Sequence, residues 1–99
     1  MKRLKSIFTD DMDRCYFSKR TDGLERHHVF GAYNRKRSEE YGFVIPLHYS
    51  LHPNGAGCQL SQDERNDLDT VLKQECQRWY LEHIGGIDRW MREFGKNYL

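Results

Sequence analysis

Ser61 is followed three residues later by Glu64, and then Leu68, Val71, Leu72, Cys76, Trp79 and Leu81 recur at helical spacing. This predicts a helix of about twenty residues, opened by a capping box and closed by Gly85-Gly86. In a chain of 99 residues, a helix of that length leaves room for one small domain folded against it. A shorter helix, "IDRWMREF", puts Trp90, Met91 and Phe94 on one face before Gly95 stops it. Trp79 and Trp90 match the buried-face spacing, so both are assigned to the core rather than to base stacking.

The chain before Ser61 has a different character. Residues 14–18, "RCYFS", read as a short strand ended by the turn-like "KRTDG". Residues 24–30, "LERHHVF", read as a second strand that Gly31 breaks. "NRKRSEEY" (34–41) is polar and charged and suits a helical turn. "GFVIPL" (42–47) is the most strand-like run, and Pro46 pushes it toward a sheet edge or a strand end. "HYSLHPNGAG" is too interrupted for long regular structure. The expected fold is α+β: a β-hairpin with the long C-terminal helix behind it. Residues 1–12 read as a basic N-terminal arm and residues 13–99 as a single domain, without repeats or low-complexity tracts.

Three cysteines, an odd number, and no secretory pattern argue against a disulfide framework and for a reducing compartment. No run approaches the length needed to cross a bilayer, so a cytoplasmic protein with no membrane partner is expected. The net charge is +1, which gives no global field toward a polyanion. It is unevenly spread: residues 1–50 hold ten Lys or Arg against seven acids, and residues 51–99 hold six against eight. The basic half is also the histidine-rich half, which weakly favours a nucleic-acid face there.

Four of the five histidines fall within "ERHHVFGAYNRKRSEEYGFVIPLHYSLH". Neutral imidazole is a common ligand for transition metals, and its pKa near neutrality suits a general base. His27 and His28 end one expected strand and His52 follows the other by a few residues. The hairpin therefore gathers them into one neighbourhood, where an ion held by His27 and His52 would have His28 beside it. Adjacent residues on a strand point to opposite faces, so this requires the backbone to leave regular β geometry at His28. The competing reading leaves His27 in solvent and packs His28 under Phe30 or Phe43.

The runs "HHVFGAYNRKRSEEYGF" and "REFGKNYL" resemble the HNH (ββα-metal) endonucleases, and within them small phage and prophage proteins, over residues 13–99. The resemblance implies a ββα-metal fold and hydrolysis of DNA phosphodiester bonds. It implies His27 and His52 as metal ligands and His28 as the general base. The cofactor would be one divalent ion (Mg, Mn, Ni or Zn), the partner DNA, met mostly through phosphates, and the setting the cytoplasm of a bacterial host. Arg26, Arg35, Lys36 and Arg37 are the implied phosphate contacts, although "NRKR" reads equally well as a solvated turn.

Two family features are missing. The middle Asn that orients the base should fall near Phe43; Asn34 and Asn54 are the nearest candidates. A further ligand is often found four residues beyond the His52 position, where this chain has Ala56, so Asn54 or Cys58 would have to substitute. The paired C-x-x-C motifs of a structural zinc are reduced to Cys15 and His48, so no structural zinc is expected. Packing by Tyr16, Phe17, Leu47 and Leu51 is expected in its place. The alternative function is a catalytically impaired DNA-binding or accessory protein with the same fold.

Overall fold

The computed structural model describes residues 6–99. Two strands, β1 (Leu24–His28) and β2 (Val44–His48), form an antiparallel pair with Leu24 opposite His48 and His28 opposite Val44. Between them a 3-10 turn (Ala32–Asn34) leads into α1 (Arg35–Tyr41), so the hairpin is closed by a short helix rather than a tight turn. Gly42 then takes a left-handed conformation (φ 77°), which ends α1 and returns the chain into β2. A second 3-10 turn (Tyr49–Leu51) and an irregular loop lead to α2 (Gln62–His83) and α3 (Ile87–Phe94).

The capping box at α2 forms as expected. Ser61 Oγ accepts from the Glu64 N–H at 3.1 Å, and the Glu64 carboxylate accepts from the Ser61 N–H at 2.9 Å. The face buried by α2 differs in part from the expected one. Leu72, Cys76, Gln77 and Tyr80 are buried, whereas Val71 and Leu81 are exposed. Residues 72, 76 and 80 make an i, i+4, i+8 stripe, and Gln77 extends it because its amide is bonded at both ends. It donates to Asn97 Oδ1 at 2.8 Å and accepts from the Tyr98 N–H at 2.7 Å. On α3, Trp90 and Phe94 are buried while Met91, a quarter-turn round the helix, lies at the edge and is exposed.

β2 is buried at every position. Phe43, Val44, Ile45 and Leu47 are fully buried, each worth roughly 1.5–3 kcal/mol of transfer free energy. Trp90 stands at the centre of the core, with Phe30, Phe43, Tyr80, Phe94 and Tyr98 around it, and its indole N–H donates to Lys96 O at 2.7 Å. Glu93 ties the helices together. It accepts from Tyr41 Oη of α1 at 2.8 Å and from Tyr80 Oη of α2 at 2.6 Å.

Residues 14–18 do not form a strand. Cys15 bonds to Arg20 and Lys19 across a tight loop, and Tyr16 N donates to Pro46 O at 2.9 Å. That loop covers β2, so Pro46 sits mid-strand, paired with Arg26, in a sheet where both strands are edges. Within it Cys15, not its aromatic neighbours, enters the core; Tyr16 and Phe17 are exposed, while Leu47 is buried and Leu51 packs on the core. Of the expected N-terminal arm, residues 1–5 lie outside the described residues. Ile7 N donates to Gly42 O at 2.9 Å, and Ile7 and Phe8 pack on the core. No helix among the described residues is long and apolar enough to cross a membrane.

Candidate active site

Strand alternation sorts the site into two faces of β1. Glu25 and His27 share one face, and Arg26 and His28 share the other. On the first, His52, which follows the 3-10 turn after β2, brings its ring to 4.9 Å from that of His27. On the second, α1 presents Glu39, whose Oε1 lies 2.5 Å from His28 Nε2 and 3.5 Å from an Arg26 guanidinium nitrogen. The expected meeting of three imidazoles is thus two plus one. His27 and His52 come together, and His28 remains in regular β geometry with a separate partner. The packing alternative is also reversed, since it is His27 that is buried, at 1 % exposure.

Each imidazole is prepared chemically. Burial, reinforced by the nearby His52, pushes the His27 imidazole down to about 4, so the ring is neutral at pH 7. Its Nε2 is buried and has no hydrogen-bond partner among the described residues. His52 Nδ1 lies 2.6 Å from Glu25 Oε1. A carboxylate only accepts, so Nδ1 carries the proton and Nε2 keeps its lone pair. Metal-ligating histidines commonly make this backing bond, which fixes tautomer and orientation. Gly55 makes room for it, because a Cβ at Gly55 would stand 2.8 Å from Glu25 Oε1 and 3.2 Å from His52 Nδ1. By the same reasoning Glu39 holds the proton on His28 Nε2 and leaves Nδ1 as the basic atom.

Glu25, Glu39 and Gly55 were not among the residues expected from the sequence. A signal was present: Glu25 precedes His27 by two residues, the period of a strand, and Glu39 lies within the motif "RSEEYG". Among the described residues, no three His, Cys, Asp or Glu side chains are grouped to hold a metal ion, so Cys58 does not join His27 and His52 in a three-ligand group. Asn34 does not orient His28; its Oδ1 accepts from Arg37 at 2.9 Å. Asn54 lines a polar cleft of about 290 Å³ together with Pro53 and the α2 residues Gln62, Arg65, Asn66, Asp69 and Lys73.

The four arginines and lysines expected to meet phosphate separate into two pairs. Arg26 is engaged by Glu39 and Arg37 by Asn34. Arg35 and Lys36 are exposed and form no ion pair among the described residues. At the C-terminal end of β2, His48 Nδ1 lies 2.7 Å from Ser50 Oγ, and among the described residues its Nε2 is, with His27 Nε2, a buried side-chain atom without a partner. It abuts Gly23, where φ is +59° and a Cβ would stand 3.2 Å from that nitrogen.

Comparison with protein-family models, with curated proteins and with solved structures returned no match.

Proposed function

We propose that this chain is a metal-dependent endonuclease of the HNH, ββα-metal type, which hydrolyses DNA phosphodiester bonds. The observation that carries the reading is the approach of the His27 and His52 rings to 4.9 Å, with the buried His27 Nε2, unpartnered among the described residues, and the Glu25-backed His52 suited to a cation. His28, next in the chain and paired with Glu39 on the opposite face of β1, would have to reach the same phosphate from the strand end. His27 and His52 would hold one divalent ion, which when bound supplies charge stabilisation at the phosphate and at the leaving 3′ oxygen. Imidazole ligands suit Zn²⁺, Ni²⁺ or Mn²⁺ better than Mg²⁺.

The chain's own residues do the proton chemistry. His28 Nδ1 takes a proton from water while Glu39 stabilises the imidazolium that forms, much as a buried carboxylate does for other catalytic histidines. The hydroxide attacks phosphorus in line, the P–O3′ bond breaks, and the 3′ oxygen takes a proton from solvent. In this role Glu39 replaces the orienting Asn that the family resemblance calls for and the chain lacks. Arg35 and Lys36, exposed and without an ion pair among the described residues, are the phosphate contacts that remain, and contacts of this kind position DNA without reading its sequence. On the family resemblance, such a protein would be phage- or prophage-encoded and would act in the host cytoplasm.

Plasmid nicking in the presence of Mg²⁺, Mn²⁺, Ni²⁺ or Zn²⁺ tests this. The wild-type chain nicks with at least one of them, and His28→Ala and Glu39→Gln reduce the rate by about 10² or more. Nicking that survives His28→Ala unchanged contradicts the assignment. DNA retention without nicking, weakening steeply with salt, would instead favour an accessory DNA-binding role.

A further inference from the structure

Tyr33 stands in the 3-10 turn between β1 and α1 and is 91 % exposed, more than any other large apolar or aromatic residue among the described residues. The turn is held by its own hydrogen bonds: Asn34 N donates to Gly31 O at 3.1 Å, and the Arg35 N–H donates to Ala32 O. Ala32, just before the ring, takes a left-handed φ of +48°, a strained conformation for a residue with a Cβ. A Cβ at Gly31 would meet nothing within 4 Å, so the turn stands clear of the core there. Arg35 and Lys36 follow in the first turn of α1, both exposed and without an ion pair among the described residues. Arg35 lies four residues before Glu39, hence on the same face of α1, and Glu39 is the residue that reaches His28.

We propose that Tyr33 is a base-stacking residue, and that the DNA this chain prefers has unpaired bases: a single strand, a gap or an overhang. This rests on the DNA reading above and adds the form of the DNA. Arg35 and Lys36 take phosphates, and the phenol ring stacks on a base of the same strand. Every base has a π-face, so such a contact carries little sequence preference, and it is worth roughly 5–150-fold in affinity per base. In a duplex both faces of a base are already covered. Inserting a ring there requires the step to be unstacked, at a cost of the same order as the gain. An unpaired base offers its face at little cost. Tyr33 is a single ring, and its neighbours Ala32 and Asn34 supply no apolar wedge, so the balance favours unpaired DNA. Because the turn is already closed by hydrogen bonds, presenting the ring loses little further freedom on binding.

Fluorescence anisotropy in EDTA, with a short labelled single strand of DNA and with the same sequence as a blunt duplex, tests this without metal or cleavage. Wild type binds the single strand more tightly than the duplex. Tyr33→Ala weakens single-strand binding about tenfold. It leaves duplex binding and the slope of affinity against salt unchanged, because no charge is removed. Tyr33→Phe keeps the ring and binds as wild type does, and both variants melt as wild type does because the side chain is exposed. Arg35→Gln weakens both forms and flattens the salt slope. Tyr33→Ala binding the single strand as wild type does, Tyr33→Phe losing as much as Tyr33→Ala, or a duplex bound as tightly as the single strand overturns the proposal. A single strand of RNA bound more tightly than the DNA also overturns it. If plasmid nicking is nevertheless present, the nuclease reading stands without Tyr33. If wild type binds neither form of DNA, this proposal and the nuclease reading both fail.

Discussion

His27 has the most unusual environment of the five histidines. In the ion-free protein it stays neutral down to about pH 4, whereas unfolding returns it to the ordinary value of 6.5. Between those values the unfolded chain binds more protons than the folded one. Stability is therefore fully present above about pH 6.5 and falls as pH drops toward 4, by on the order of 3 kcal/mol. Urea denaturation at pH 7 and pH 4.5 checks this: His27→Gln should lose markedly less stability than wild type over the same interval, and equal losses would refute it. Gly55 offers a second test. In Gly55→Ala the new Cβ crowds Glu25 Oε1 and displaces the carboxylate from His52. Divalent-ion affinity should then fall about 10–100-fold in a calorimetric titration, with little change in the thermal unfolding of the ion-free protein.

At the scale of elements, α2 was legible because it depends on local chemistry. The Ser61–Glu64 box forms as its spacing predicts, and Ser61→Ala should cost about 1 kcal/mol in chemical denaturation, with α2 otherwise unchanged. Much of the hairpin was legible from apolar runs and from Gly31, whereas the left-handed Gly42 that ends α1 was read as the start of the second strand. What the sequence concealed was tertiary. Residues 14–18 have strand-like composition, but their backbone groups are taken up within a loop that caps β2 through Tyr16 and Pro46. Val71, Leu81 and Met91 fit a helical period yet fall outside the stripe that meets the sheet, and Gln77 is buried only because Asn97 and Tyr98 return to satisfy it. The nearness of His27 and His52 was readable from a hairpin frame. Their carboxylate partners were harder to see, because Glu25 is 27 residues from His52 and Glu39 is 11 from His28.

In the whole molecule, one aromatic core supports both halves of the site. Phe30 leaves β1 directly into it, and Trp90 joins it to α3 and to the terminal segment. Trp90→Ala should destabilise the fold by about 3–5 kcal/mol in thermal or urea unfolding, and a loss below about 1 kcal/mol would show that the core does not hang on that ring. The hairpin held on this core keeps the ion-facing imidazoles on one side of β1 and the basic imidazole on the other, close in sequence yet separately oriented. The most direct test is anomalous diffraction from crystals soaked in Mn²⁺ or Zn²⁺, recorded at the absorption edge of the ion. The expected result is one strong peak within coordination distance of both His27 Nε2 and His52 Nε2, with His28 still on Glu39. A peak elsewhere, or none beside those two nitrogens, would contradict it.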